Sequence, residues 1–254
     1  MLAANAPLLV DSRTVLHVVF LLFVLGVMPR AAFRSARILK ARAAGGGGSP
    51  GAPAAPAAPA VSRERILVST IFSHAVLGAL TWYVAHQDGR DLFACDAIGG
   101  RELLAGALVL AVHFALRAVL LALRTEQERR RPPAMAWMPQ TARQWGLYVT
   151  VCATAGLVEE STYRGVLVWI VAPWLGLVPA ALLAAVAFAV AHVAQGRKAV
   201  AVIFLMALSQ HWLVEFTGTL IVAMVLHTVY DLAAGVLRRR RLRREAAQAA
   251  RQRA

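Results

Sequence analysis

The chain has 254 residues, 59% of them hydrophobic, a formal net charge of +14 and a mean hydropathy of +0.61. Few soluble domains are so apolar, and several uncharged runs approach the ~20 residues that a membrane-spanning helix needs. The charge does not point to nucleic acid. Basic residues gather between apolar runs and at the C-terminus, as positive-inside loops do, and no polar fold is visible to display a nucleic-acid surface. Cys95 and Cys152 read as free thiols and say little about compartment.

In chain order, residues 1–10 carry no charged side chain, residues 15–28 are apolar, and Arg30, Arg34, Arg37 and Lys40 follow. That polarity suits a retained helix over residues 1–40 with its N-terminus outside, not a cleaved signal peptide. Residues 41–64 form a Gly-, Pro- and Ala-rich linker, too poor in side chains to bury a core. Residues 65–140 hold two expected spans, 66–86 and 103–123, around a loop with Asp88, Asp91 and Asp96. Arg63 and Arg65 precede the first, while Arg124, Arg129, Arg130 and Arg131 follow the second, so both outer ends read as cytoplasmic.

Residues 141–237 are expected to form four helices. The first lies over 141–174, with Trp137 just before it, Trp145 and Tyr148 as an aromatic belt at one interface and Trp169 and Trp174 at the other. Spans 178–194, 199–214 and 219–237 follow, and a basic cytoplasmic tail occupies 238–254. The expected fold is therefore all-α: a polytopic transmembrane bundle of about seven spans with a C-terminal four-helix catalytic core. It places the protein in the cell (inner) membrane with its C-terminus in the cytoplasm.

Inside the first of these four helices stand Glu159, Glu160 and Arg164, flanked by apolar residues on both sides. Such a trio is commonplace on a solvated helix. At membrane depth each ionisable group costs several kcal/mol, so by default it marks a working site. A helix entering near residue 149 puts Glu159 roughly 15 Å deep. Glu160 and Arg164 stand at i, i+4 in the favourable order and neutralise one another, which makes them scaffold and leaves Glu159 to act as general base. His227 and Asp231 share one face of the last span, and Phe188 and His192 share a face of an earlier one, with Phe188 read as packing. His192 is placed roughly 8 Å inside the cytoplasmic end of its helix. His74 reads as an isolated histidine satisfied by a nearby carbonyl, and His211 with Glu215 as a local ion pair. No His-Glu-x-x-His or Gly-x-Ser-x-Gly pattern occurs.

The three elements Glu159-Glu160-x-x-x-Arg164, Phe188-x-x-x-His192 and His227-x-x-x-Asp231 resemble the motifs of the CPBP family, which groups CAAX prenyl proteases with bacteriocin-processing and bacteriocin-immunity proteins. The likeness covers roughly residues 144–237. It implies a glutamate-type intramembrane endopeptidase with a cavity open to the cytoplasm. By position, Glu159 with His192 would activate water, while His227 and Asp231 would face the scissile carbonyl and steady the oxyanion. Asparagine is frequent in that family where Asp231 stands. An ionised aspartate would repel an oxyanion, so Asp231 must be protonated there or must instead orient His227. No cofactor is expected on this reading. The alternatives are a zinc protease with the metal held by glutamate and two histidines, and a non-catalytic immunity or regulatory protein. A transporter would show repeated halves, and no internal repeat is visible. The expected partners are membrane lipid and a protein or peptide substrate: a prenylated protein, a leader peptide or a C-terminal sorting tail.

Overall fold

A computed structural model describes residues 11–45, 62–126, 128 and 138–251. Linker residues 46–61, Trp137 and Arg129, Arg130 and Arg131 lie outside the described residues. Within them every regular element is helical. Helix α1 (Ser12–Leu22) passes through a π-turn (Phe23–Val27) into α2 (Met28–Gly45), followed by α3 (Arg63–Gln87) and α4 (Gly100–Leu123). Helix α5 (Ala142–Glu160) passes through a second π-turn (Ser161–Val166) into α6 (Leu167–Leu175). Then come α7 (Leu177–Ala191), a short 3-10 turn (Val193–Gln195), α8 (Arg197–Thr217) and α9 (Leu220–Arg251).

With π-linked helices counted as one rod, seven rods are described. Five stretches are long and apolar enough to cross a membrane: Ser12–Ile38, α3, α4, α8 and Leu220–Glu245. The α5–α6 rod holds the charged site, and α7 is a shorter apolar helix. The protein is thus an integral membrane helical bundle.

Contacts between chain-distant residues sort the rods into an alternating up-and-down order. At one end His17 Nε2 meets Asp88 at 2.9 Å, Thr219 Oγ1 donates to the Ala94 carbonyl at 2.9 Å, and Arg90 lies over Trp169. At the other end Arg143 faces Glu64 at 3.8 Å, and Lys198 Nζ donates to the Leu123 carbonyl at 2.9 Å and to Glu128 at 2.8 Å. The lysine holds the exposed Glu128 carboxyl below its ordinary range. The arginines that follow residue 28, and those at the end of α9, lie towards this second end.

Side chains start the helices where the sequence supplies caps. Ser62 Oγ accepts from Arg65 N, and Thr141 Oγ1 accepts from Gln144 N, each at 3.2 Å. Helix α5 packs against α3 and α9, α4 against α8 and α9, and α7 against α6 and α8. The buried core at their meeting point includes Leu77, Val158, Tyr163, Leu167, Phe188 and Met224.

Three expectations are corrected. Helix α7 ends at Ala191, so His192 follows the helix and does not lie within it. The chain then turns through Gly196 at φ +98°, a conformation that glycine adopts without penalty. The basic C-terminal residues continue α9 as helix through Arg251. His211 forms no ion pair with Glu215; its Nε2 is buried without a partner among the described residues.

Candidate active site

The two glutamates stand at the C-terminal end of α5, where the helix loosens. Ser161 Oγ donates to the Leu157 carbonyl and Thr162 Oγ1 to the Val158 carbonyl, both at 2.7 Å. Such back-bonding bends helices. The Leu167 amide then reaches the Thr162 carbonyl, five residues back. A π-turn of this kind is uncommon and concentrates at functional sites. Thr162 is also tied to Thr81 of α3 at 2.8 Å, which fixes the turn against its neighbour.

Adjacent positions give the carboxylates different surroundings. The Glu160 side chain is 0% exposed. Its Oε2 faces Arg164 Nε at 3.3 Å as an ion pair, and its Oε1 accepts from His227 Nδ1 at 2.7 Å. Arg164 also donates to the Ala207 carbonyl at 3.5 Å and lies 4.4 Å over the Phe188 ring. The two charges thus face one another in the buried interior, although Glu160 Oε2 and Arg164 Nε lack hydrogen-bond geometry.

Glu159 is 15% exposed, and its contacts are looser. Oε1 lies 3.4 Å from His74 Nε2, and Oε2 lies 3.9 Å from His227 Nε2. Oε2 has no hydrogen-bond partner. Asp231 is more open again, 36% exposed, with Oδ2 at 3.6 Å from His227 Nε2. Exposure therefore rises from Glu160 through Glu159 to Asp231, and His227 touches all three.

Hydrogen-bond parity fixes most of the imidazole roles. His192 Nδ1 lies 2.8 Å from the Phe188 carbonyl, which can only accept, so Nδ1 donates and Nε2 is the nitrogen left for another partner. His227 Nδ1 donates to Glu160, leaving Nε2 turned towards Glu159 and Asp231. Thr154 spends its proton on the Thr150 carbonyl at 2.9 Å and accepts from His74 Nδ1 at 2.9 Å. His74 Nε2 and Glu159 Oε1 then attract one another when a single proton lies between them.

Further sequence expectations change here. Phe188 is more than packing: its ring meets Arg164, Tyr163, His192 and His227, with ring centroids 4.6 Å apart for His192 and 6.2 Å for His227. Tyr148 also makes a contact that the sequence did not suggest. Its hydroxyl turns inward and donates to the Asp231 carbonyl at 3.0 Å. His74, which the sequence left as an isolated residue, belongs to the site. A concavity of about 670 Å³ is lined by Ser62, Arg65 and Phe72, away from the carboxylates. Among the described residues no three His, Cys, Asp or Glu side chains are disposed to hold one metal ion.

Helices α5 and α9 are drawn together by small residues. A Cβ on Gly156 would collide with the Thr228 side chain and stand 2.6 Å from the Met224 carbonyl oxygen. No residue but glycine fits there, and His227 is held beside it.

Residues 141–233, which contain Glu159, Glu160, Arg164, His192, His227 and Asp231, match the family model described as Type II CAAX prenyl endopeptidase Rce1-like. His74 lies outside the matched segment. No curated protein and no solved structure matches the chain.

Proposed function

We propose, from the match of residues 141–233 to the Rce1-like CAAX prenyl endopeptidase model, that this membrane protein is a protease that works by a glutamate mechanism. The observation that carries the reading is the inequality of the paired carboxylates. Glu160 is 0% exposed and held at 2.7 Å by His227 and 3.3 Å by Arg164, while Glu159 is 15% exposed and meets its neighbours only at 3.4 and 3.9 Å.

On this reading Glu159 Oε2 takes a proton from a water that attacks the substrate carbonyl. The new C–O bond forms a tetrahedral intermediate; when the C–N bond breaks, Glu159 returns the proton to the leaving amine. The products are a carboxylate and an amine. His192 Nε2, with its ring oriented by the Phe188 carbonyl, orients the same water. His227 Nε2 and Asp231 face the developing oxyanion, where preorganised donors contribute several kcal/mol. Glu160 and Arg164 hold His227, and His74 holds the back of Glu159.

The proposed chemistry uses no bound metal: Glu159 serves as the base, with His192 and His227 beside the reacting atoms. The substrate class proposed is a prenylated peptide with a CAAX end, presented beside the bilayer. The test uses the full-length protein in proteoliposomes with a farnesylated CAAX peptide. Cleavage should persist in EDTA and phenanthroline and vanish in Glu159→Gln. Loss to chelators with recovery on adding zinc would overturn the metal-free mechanism. Undiminished cleavage by Glu159→Gln would overturn the base assignment. No cleavage by the wild type would remove this substrate, and a comparison of membrane-protein termini between wild-type and Glu159→Gln cells would then identify the natural one.

A further inference from the structure

A second pocket, of about 280 Å³, lies where α3 begins, where the chain approaches α5 and where α9 runs past Leu237. Arg63, Arg239 and Arg243 line it, with Met138, Pro139, Gln140 and Leu242. A row of arginines at the end of a span is the ordinary positive-inside pattern. This pocket has more than that. Three chain-distant segments enclose it, and the buried Met138 with Pro139 and Leu242 gives it an apolar wall.

The carboxylates next to it in the chain face other cations: Glu64 meets Arg143 at 3.8 Å and Glu245 meets Arg241 at 2.7 Å. Arg63 Nε is shielded from solvent without a hydrogen-bond partner. Arg239 is held in place by the Trp145 ring, 5.0 Å from its guanidinium carbon. Fixed guanidinium groups match the geometry of phosphate oxygens, and the apolar wall suits the glycerol and first methylenes of a lipid.

We propose that this pocket binds the phosphodiester headgroup of an anionic phospholipid. The chemistry recognised is a phosphate anion, and basic pockets between membrane helices are known to take such headgroups. The site is separate from the carboxylate cluster, and its occupancy does not depend on any cleavage reaction.

The test uses the full-length protein in phosphatidylcholine nanodiscs containing a minor share of phosphatidylglycerol, with retained lipid counted by native mass spectrometry. Wild-type protein should keep phosphatidylglycerol in preference to phosphatidylcholine. Arg63→Gln with Arg243→Gln should weaken that preference by about 25-fold, roughly five-fold for each arginine. Arg63→Lys with Arg243→Lys should retain most of it and shows that the positions tolerate change. Arg240→Gln with Arg244→Gln removes the same charge from exposed positions outside the pocket and should leave the preference intact. Equal loss in that control would reduce the effect to general surface charge and overturn the site. Retention by the Arg63/Arg243 glutamine variant would overturn it as well. Displacement of the lipid by added inorganic phosphate would assign the pocket to a soluble anion instead.

Discussion

Glu159→Gln and Glu160→Gln are the same chemical change at neighbouring positions, yet they should break different things. Glu160 is fully buried, and its removal leaves the Arg164 guanidinium, itself 1% exposed, without a counter-charge. Breaking such a pair from one side costs about 3–5 kcal/mol. The glutamine still accepts from His227 Nδ1, which offsets about 1 kcal/mol. The net loss is then about 2–4 kcal/mol, or roughly 30- to 900-fold in the unfolding equilibrium. Glu159 contacts its neighbours only at 3.4 and 3.9 Å, so its replacement should cost less than about 1 kcal/mol. Denaturation of the three proteins in one detergent, beside peptide cleavage in proteoliposomes, separates the effects. Glu159→Gln should be stable and inactive, whereas Glu160→Gln should be unstable. Adding Arg164→Met to Glu160→Gln should recover stability without recovering cleavage, because an uncharged pair no longer buries a lone cation. Equal stability of the two single variants would refute the division of labour between the glutamates.

His74→Ala should lower kcat by about 10- to 100-fold, as loss of a supporting partner commonly does, with KM little changed. A shifted pH–rate profile, partly restored in His74→Gln, would mark positioning of Glu159; an unchanged profile with lower protein yield would leave His74 merely structural. Gly156→Ala should destabilise the protein by about 1–3 kcal/mol, because the added methyl meets Thr228 and the Met224 carbonyl, and a wild-type denaturation midpoint would contradict that packing. Exposed Cys95 should react with an impermeant maleimide on intact cells, while Gln248→Cys in a cysteine-free background should react only after permeabilisation; the opposite pattern would invert the topology. Asp231→Asn should keep cleavage and hold it to higher pH, since an amide donates at every pH whereas a carboxyl donates only while protonated. Uniform loss of activity in a folded protein would instead make Asp231 a carboxylate that orients His227.

The bundle was legible because lipid imposes its own code: apolar runs, arginines between them and few places for charge. The scaffold pair was legible for a related reason. Glu160 and Arg164 lie four residues apart on one helix, and that spacing is written in the chain. Contacts between helices leave no such trace. The approach of His74 to Glu159 depends on how α3 packs on α5, and nothing in a single apolar run marks which of its histidines faces a partner. The π-turn had a faint signal, since Ser161 and Thr162 are hydroxyl residues able to bond the preceding turn inside an apolar helix. The bond from Tyr148 to the Asp231 carbonyl left no trace either, because a tyrosine near a helix end fits the interfacial pattern whether its hydroxyl points to headgroups or inward.

The seam between α5 and α9 therefore carries more of the chemistry than its own residues suggest. Glu159 and Glu160 belong to one helix, His227 and Asp231 to the other, and three contacts set their separation. Gly156 admits Thr228 and the Met224 carbonyl at close range, Tyr148 holds the Asp231 carbonyl, and Glu160 holds His227 Nδ1. A Cβ on Gly235 would stand 2.5 Å from the Tyr148 hydroxyl, so this contact also needs a small residue opposite it. An in-line attack tolerates little misplacement, and a shift of about 1 Å can cost about 100-fold in rate. Substitutions at Gly156, Tyr148 or Gly235, none of them ionisable groups beside the substrate, should thus lower kcat more steeply than they lower stability.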